Sequence, residues 1–362
     1  MIRGSDTFER IIAGSHTRMV RAQARKGNIP LGDLDVSTAS LSISGDASTI
    51  TRRTLTLTVA ATPDALRWFR QPSTTVRVWV GVRSGDSSAD LGVHWGVSLN
   101  PEIDEDNGVI NISSPDLASR PAAHSFISPR SSTKGMTITQ QLSALVVEAL
   151  PWMGVRDETG DSTAVASVTW TDSRSDAIVQ LAKSIGAETF FSPATPDGPA
   201  WVVRPERTLA SMPDFTVKDR VNLSEAKEQP DFSQAYNCII ATSDRGDSTT
   251  LQGVSTDTDP GSPLNVTDCG YRVGRISSSL YTTKAQCTQA AYIARMRLAG
   301  YPASLSVDAA LHPGVECGDL WVVQHKNTTY RVIPTSIDYD LLSGAMSATC
   351  RSATLPDPAE VS

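Results

Sequence analysis

The chain has no C-x-x-C pair. Its five cysteines, Cys238, Cys269, Cys287, Cys317 and Cys350, are odd in number and scattered, which fits reduced, buried thiols rather than a disulfide framework, a zinc site or a redox motif. None of the five histidines, His16, His94, His124, His312 and His325, has a second ligand at helical or hairpin spacing, and H-E-x-x-H is missing, so no metal is expected. The G-x-S-x-G nucleophile elbow is absent too; the Gly-Asp-Ser runs at 85–87 and 246–248 stand in polar, turn-forming clusters. Apolar runs are short, as in "ALVVEAL" broken by Glu148, and "MIRGSDTFER" has no apolar stretch. Neither a membrane span nor a signal peptide is therefore expected, and synthesis and assembly are placed in a cytoplasm. There is no long low-complexity tract and no internal repeat at residue level.

What is present is a globular balance, 40% apolar and 20% charged, over 362 residues, a length that suggests two or three domains. A net charge of −7 argues against general nucleic-acid binding.

The first 120 residues alternate as half-buried strands do. "TLTLTVA" sets Leu55, Leu57 and Val59 against threonines; "VRVWVGV" sets Val76, Val78, Val80 and Val82 against Arg77, Trp79 and Gly81. "LGVHWGVSL" reads as a third strand, and clusters such as "RSGDSSAD" separate them, as in an antiparallel sandwich or barrel. The Ser, Pro and Arg-rich stretch "SRPAAHSFISPRSSTKG" marks a boundary near residue 130. Beyond it, Thr137 with Gln140 forms a capping box ahead of the stripe Leu142, Leu145, Val146 and Ala149, which Pro151 stops. "AVASVTW" reads as a strand. A second helix opens at Ser173 or Ser175, with the stripe Ile178, Leu181, Ala182 and Ile185 and a stop at Gly186. "ETFFS" and "AWVVRP" flank a Pro-Asp-Gly turn as a hairpin.

From about residue 232 strand patterns return, interrupted by "SLYTTKAQCTQAAYIARMRLAG". Here Thr283 and Gln286 form a second capping box, Gly300 supplies a stop, and Cys287, Ala290, Ala291, Ala294 and Leu298 share one face. That face is mostly alanine, so the helix can lie very close to what it covers. Packing on a sheet is the simplest reading, and a helix across an open barrel end or a subunit seam is the functional alternative.

Three segments invite a functional reading. "PEIDEDNG" (101–108) could supply paired carboxylates or bind calcium, but it lacks the EF-hand spacing, and Asp106-Asn107-Gly108 makes a hairpin turn. "DTDPGSP" (257–263) reads as a rigid polar loop with no acid or base partner nearby. From Arg10 to Lys26 there are four arginines and one lysine with no acid. In that segment Val20, Ala22 and Ala24 alternate with Arg21, Gln23 and Arg25, as in an edge strand with its arginines outward. Given the net negative charge, these arginines point to carboxylates of another protein surface rather than DNA phosphate, and Arg18, Arg21 and Arg25 are the candidate interface residues.

Taken together, "GSHTRMVRAQA", "DLDVSTASLSIS", the D-x-D-P-x-S-P loop (Asp257, Asp259, Pro260, Ser262, Pro263), the helix start Thr282, Thr283 and Gln286, and the Gly318-Asp319 lead into a strand resemble the tail-hub (minor tail, baseplate hub) proteins of long-tailed actinobacterial phages. The resemblance spans nearly the whole chain, the middle matching mainly in pattern. It implies an α+β, mainly β fold in which two β-barrel-like domains, 1–128 and 232–362, flank a small α+β insert, 129–231; the second β part carries one helix and a short C-terminal tail. It further implies a homotrimer whose six barrels form a ring, matching a sixfold tail tube to a threefold tip. The implied partners are the distal tail or tail-tube protein, the tape-measure protein and a tip fibre or spike protein. The implied place is the virion tail tip, with no catalytic residue, cofactor, metal, membrane contact or specific nucleic-acid binding. Two other classes stay open on the residues: a tail-tip cell-wall hydrolase using the carboxylates near Asp104 and Asp106, and an independent receptor-binding module.

Overall fold

The computed structural model describes residues 2, 4–46, 49–209, 211–230, 236–244, 251–262, 264–298 and 303–352. The first part holds α1 (Asp6–Ile12), β1 (Thr17–Lys26), β2 (Ile29–Leu34), β3 (Val36–Ser44), β4 (Arg53–Ala60), α2 (Pro63–Phe69), β5 (Thr74–Ser84), β6 (Ser87–Val97), β7 (Glu102–Asp104), β8 (Val109–Pro115) and α3 (Ser119–Ala123). The middle holds β9 (Arg130–Ser131), α4 (Ile138–Ala149), β10 (Val155–Asp157), β11 (Thr169–Trp170), α5 (Arg174–Ser184), β12 (Ala187–Ser192), β13 (Ala200–Pro205), β14 (Phe215–Lys218) and β15 (Leu223–Pro230). The last part holds β16 (Cys238–Ser243), β17 (Gln252–Thr256), α6 (Val266–Cys269), β18 (Val273–Ser278), α7 (Lys284–Leu298), β19 (Ala303–Ala310), β20 (Trp321–His325), β21 (Thr328–Asp340) and β22 (Ala345–Ser352). The protein is α+β and mainly β.

Period-two patterning sets the strands: in β4, Arg53, Leu55, Leu57 and Val59 are buried while the threonines between them face outward. β2-β1-β5-β6 make a four-stranded antiparallel sheet. The dominant sheet has ten strands, in the order β15-β19-β22-β21-β3-β4-β8-β7, with β20 added beside β21 and β14 beside β20. Its seam is the antiparallel pairing of β21 with β3, Ile337 opposite Ile43 and Tyr339 opposite Leu41, so the two β-rich parts share one sheet. They also share one core, in which Leu41, Leu55 and Val78 belong to the same cluster as Val307, Trp321 and Val332. The hydrogen-bonded ladders close no barrel among the described residues. Each fully buried Leu or Val contributes about 1.5–3 kcal/mol, so this common core binds the parts together more strongly than any surface contact.

A second core is built mainly from the insert, where α4 and α5 bring Leu142, Leu145, Ile178 and Leu181 against Phe191, Trp201 and Val203, and it takes in Trp95, Val97 and Leu117 of the first part. Both capping expectations hold: Thr137 and Gln140 exchange bonds of 3.2 and 3.0 Å, and Ser173 caps α5. "ETFFS" and "AWVVRP" pair as expected. "AVASVTW" is strand only at Thr169–Trp170. Residues 215–230, grouped by sequence with the insert, pair with β20 and β19, because Phe215, Val217, Leu223 and Ala226 need the apolar face of the large sheet.

The Ala-rich helix α7 lies on a separate three-stranded sheet, β17-β16-β18. Thr283 and Gln286 exchange capping bonds of 3.2 and 3.1 Å, and Cys287 and Ala291 are buried against Ile239 and Ala241. Gly300, Pro263, the side chain of Leu298 and the Gly-Asp-Ser run at 246–248 lie outside the described residues.

Candidate functional site: a basic aromatic ladder and a buried charged junction

The candidate arginines do not line one outward edge. β1 pairs with β5 along its whole length and with β2 from Ala22 to Lys26, so only its first half is an edge. Arg18 shares the core-facing side with Val20; its guanidinium fills the space a β-carbon would need at Gly344, which has a φ of +80°. Burial lowers the Arg18 pKa. Arg25 is only 9% exposed and donates 2.6 Å to Gln23 Oε1 and 2.5 Å to the Asn28 carbonyl, satisfying a turn rather than reaching outward.

Arg21 and Arg25 do share a face with residues that sequence reading did not connect to them. Arg21 stacks over Trp79 at 4.6 Å, Arg77 lies 4.8 Å from Trp79 and 5.0 Å from Trp95, and Arg25 stands 5.4 Å from Trp95. Trp152, from the turn after α4, stacks on Trp95 at 4.9 Å. The result is a ladder of alternating guanidinium and indole on the face of β1, β5 and β6 opposite the shared core, its Trp95 end buried against the insert and its Arg21 end in water, held by cation–π attraction. The carboxylates on this face are Asp90, half-exposed and 3.4 Å from Arg21, and Asp33, which accepts from Gln23 Nε2 at 3.1 Å. Among the described residues Arg77 makes no hydrogen bond or ion pair, and burial, with Arg25 and Arg21 repelling it, lowers its pKa to about 10. The signal was available in "VRVWVGV", since Arg77 and Trp79 occupy the outward positions of that strand.

Ionisable groups converge at a second place, and they are sealed. Where the large sheet meets the insert, Arg53 pairs with Glu316 and donates 2.9 Å to the Val93 carbonyl. Arg52 and Arg204 both reach Glu188, at 2.8 and 2.5 Å, and Arg204 also reaches Asp319 at 3.3 Å. Burial alone would raise the Glu188 carboxyl, but Arg204 and Arg52 hold it down at about 2. Asp116 accepts from the backbone N–H groups of Arg52, Arg53 and Ala118, yet burial still pushes it up to about 6. His94, bonded to Ser114 Oγ at 3.1 Å, is driven to about 3 by burial and by Arg53. Gly318 takes a φ of +84°, and Asp319 Oδ2 accepts the Glu316 N–H at 2.8 Å. The Gly318-Asp319 motif thus locks the strand lead-in against Glu188 of the insert. Such a cluster clamps three parts of the chain, with only small openings of about 50 Å³ or less beside Glu188.

The other segments singled out by sequence are structural as well. Asp104 accepts from the Asn107 backbone (3.0 Å) and side chain (2.6 Å), with Gly108 at a φ of +68°, making "PEIDEDNG" the β7–β8 turn. Asp257 accepts from Ser262 Oγ at 2.6 Å and stands 3.8 Å from Arg295 of α7, bracing the 257–262 loop. A cleft of about 840 Å³ opens between α5 and α7, lined mainly by apolar groups such as Val179, Ile185, Ile276 and Ile293. Among the described residues no group of His, Cys, Asp and Glu is placed to hold a metal ion.

The fold is similar to that of phage and prophage tail proteins. Over 92% of its length the chain is similar to the tail protein from Neisseria meningitidis MC58, covering 96% of that chain with a TM-score of 0.63 at 14% identity. The prophage MuSo2 43 kDa tail protein from Shewanella oneidensis matches 91% of this chain and 98% of its own (TM-score 0.61, 14% identity). The prophage tail protein gp18 from Listeria monocytogenes EGD-e matches 94% and 97% (TM-score 0.57, 14% identity). No protein-family model and no curated protein matches the sequence. At these identities the likeness is one of fold.

Proposed function

We propose that this chain is a structural hub of a phage tail tip, without catalytic activity, that assembles as a homotrimer. The first β part (1–128) and the last (232–362) act as barrel-like, pseudo-equivalent units around the insert (129–231), so three copies present six units in a ring. That ring joins a sixfold distal tail or tail-tube protein, with the tape-measure protein inside it, to a threefold fibre or spike below. The observation that carries this reading is the β21–β3 seam, set in a fold shared along almost its whole length with tail proteins. The antiparallel strands β21, β22 and β19 of the last part stand on one side of it, extended by β15 from the end of the insert, and β3, β4, β8 and β7 on the other. Such a ring needs obligate interfaces, which commonly bury about 2,000 Å² or more.

Light scattering on the purified chain tests this: the expected mass is three times 38.7 kDa, with a six-lobed ring in particle images. A lone subunit at high concentration, persisting when the tube protein is added, defeats the reading.

A further inference from the structure

We propose that Arg77, between Trp79 and Trp95 and flanked by Arg21 and Arg25, receives the acidic β7–β8 turn, Glu102–Asp106, of a second copy of this chain. The proposal rests on the trimeric reading and names the contact that sets its register.

Three guanidinium groups share one sheet face on which the carboxylates are the half-exposed Asp90, 3.4 Å from Arg21, and Asp33, which is engaged by Gln23 at 3.1 Å; neither pairs with Arg77. Among the described residues Arg77 makes no hydrogen bond or ion pair, and its Nε is buried without a partner. The two indoles fix its plane, so the fork that matches a carboxylate is already oriented. An incoming carboxylate would offset the repulsion from Arg21 and Arg25 that now acts on Arg77.

The same chain carries the complement. Four carboxylates fall within residues 102–106, on a turn whose Asp104 is committed to Asn107 and whose Glu105 reaches Arg70 at the surface. Asp106 is exposed, and among the described residues its side chain makes no hydrogen bond or ion pair. Copies with a net charge of −7 repel one another, so a local pairing of opposite charge must decide which surfaces meet. Basic face and acidic turn are different surfaces of one subunit, so their contact is head-to-tail, the kind that closes into a ring when the rotation allows.

The test measures assembly by sedimentation for wild type, R77E, R77Q, the pair E105K/D106K, and R77E combined with E105K/D106K, each checked by circular dichroism for intact folding. Expected are a wild-type trimer, a dissociation constant raised about tenfold or more by R77E, R77Q or the acidic-turn pair, and recovery in the charge-swapped combination. A trimer indifferent to R77E and R77Q overturns this contact and leaves the trimeric reading standing; so does a trimer weakened by R77E but untouched by E105K/D106K. A wild-type monomer defeats both. A short oligo-dT held by wild type and lost in R77E, with the trimer unchanged, overturns the proposal in favour of nucleic acid.

Discussion

Gly253 of β17 lies directly beneath Thr288 of α7: a β-carbon at position 253 would overlap the helix backbone at Cys287 and Thr288. The alanine face of the helix therefore needs a missing side chain on the strand as well. Gly253→Ala should lift α7 and destabilise by about 1–3 kcal/mol, as overpacking does. Hydrogen exchange checks it: amides of 284–298 lose protection while those of β21 and β22 keep theirs. Unchanged protection in α7 would show that helix and strand can separate without loss.

Glu188 holds two buried guanidiniums, so removing its charge should be felt far more than removing an exposed partner. Glu188→Gln leaves Arg52 and Arg204 short of a counter-ion inside the protein, and a loss of about 3 kcal/mol or more is expected. Arg70→Ala, at a pair whose side chains are both 60% exposed, should change stability by no more than about 0.5 kcal/mol. Urea midpoints of the two variants decide it, and equal losses would contradict the sealed junction.

His94 stays neutral in the folded protein down to about pH 3, whereas an unfolded histidine takes up its proton near 6.5. Between those values the unfolded state binds the extra proton, so this residue makes stability fall as pH falls. Asp116 acts oppositely: its folded pKa of about 6 lies above the unfolded 3.8, so its contribution rises as pH falls through that window. Glu188, held near 2 against 4.5 unfolded, adds a loss below about pH 4.5. The summed curve should be shallow from pH 6 to 4.5 and steep below it. His94→Gln removes the opposing partner of Asp116, so its stability should rise between pH 6 and 4.5. Denaturation midpoints at half-unit steps would reveal either slope, and a falling curve for the variant there would refute the assignment.

Local chemistry made the helices legible: both capping boxes, the Ser173 cap, the Gly186 stop and the alanine face were readable because their partners lie within four residues. The pairing of β3 with β21 was not, since Ile43 and Ile337 meet across nearly the whole chain. The same distance hid the junction. Nothing in "TRRTLTL" marks Arg53 as the partner of Glu316, and a lone arginine pair reads as surface. The basic segment was half legible, because alternation placed Arg21 outward but could not show that Asn28 and Trp95 would cover Arg25. Arg77 and Trp79 were assigned as outward residues, yet only the registers of β1, β5 and β6 make them a ladder.

The two capping boxes allow a controlled comparison, because the same bonds are made at helices with unequal support. Thr137→Ala and Thr283→Ala each remove one side-chain acceptor, a change worth about 1 kcal/mol. α4 is bound into the insert core by Leu142, Leu145 and Val146, so losing its cap should lower global stability by about that amount. α7 rests on a small cluster built around Cys287 and Ala291, whose apolar area is slight, so its first turn can open without unfolding the sheet. Thr283→Ala should therefore appear as faster exchange at residues 284–287 with little change in the global midpoint. Equal global losses from both variants would mean that α7 is coupled to the main core as tightly as α4, and that the three-stranded sheet does not melt on its own.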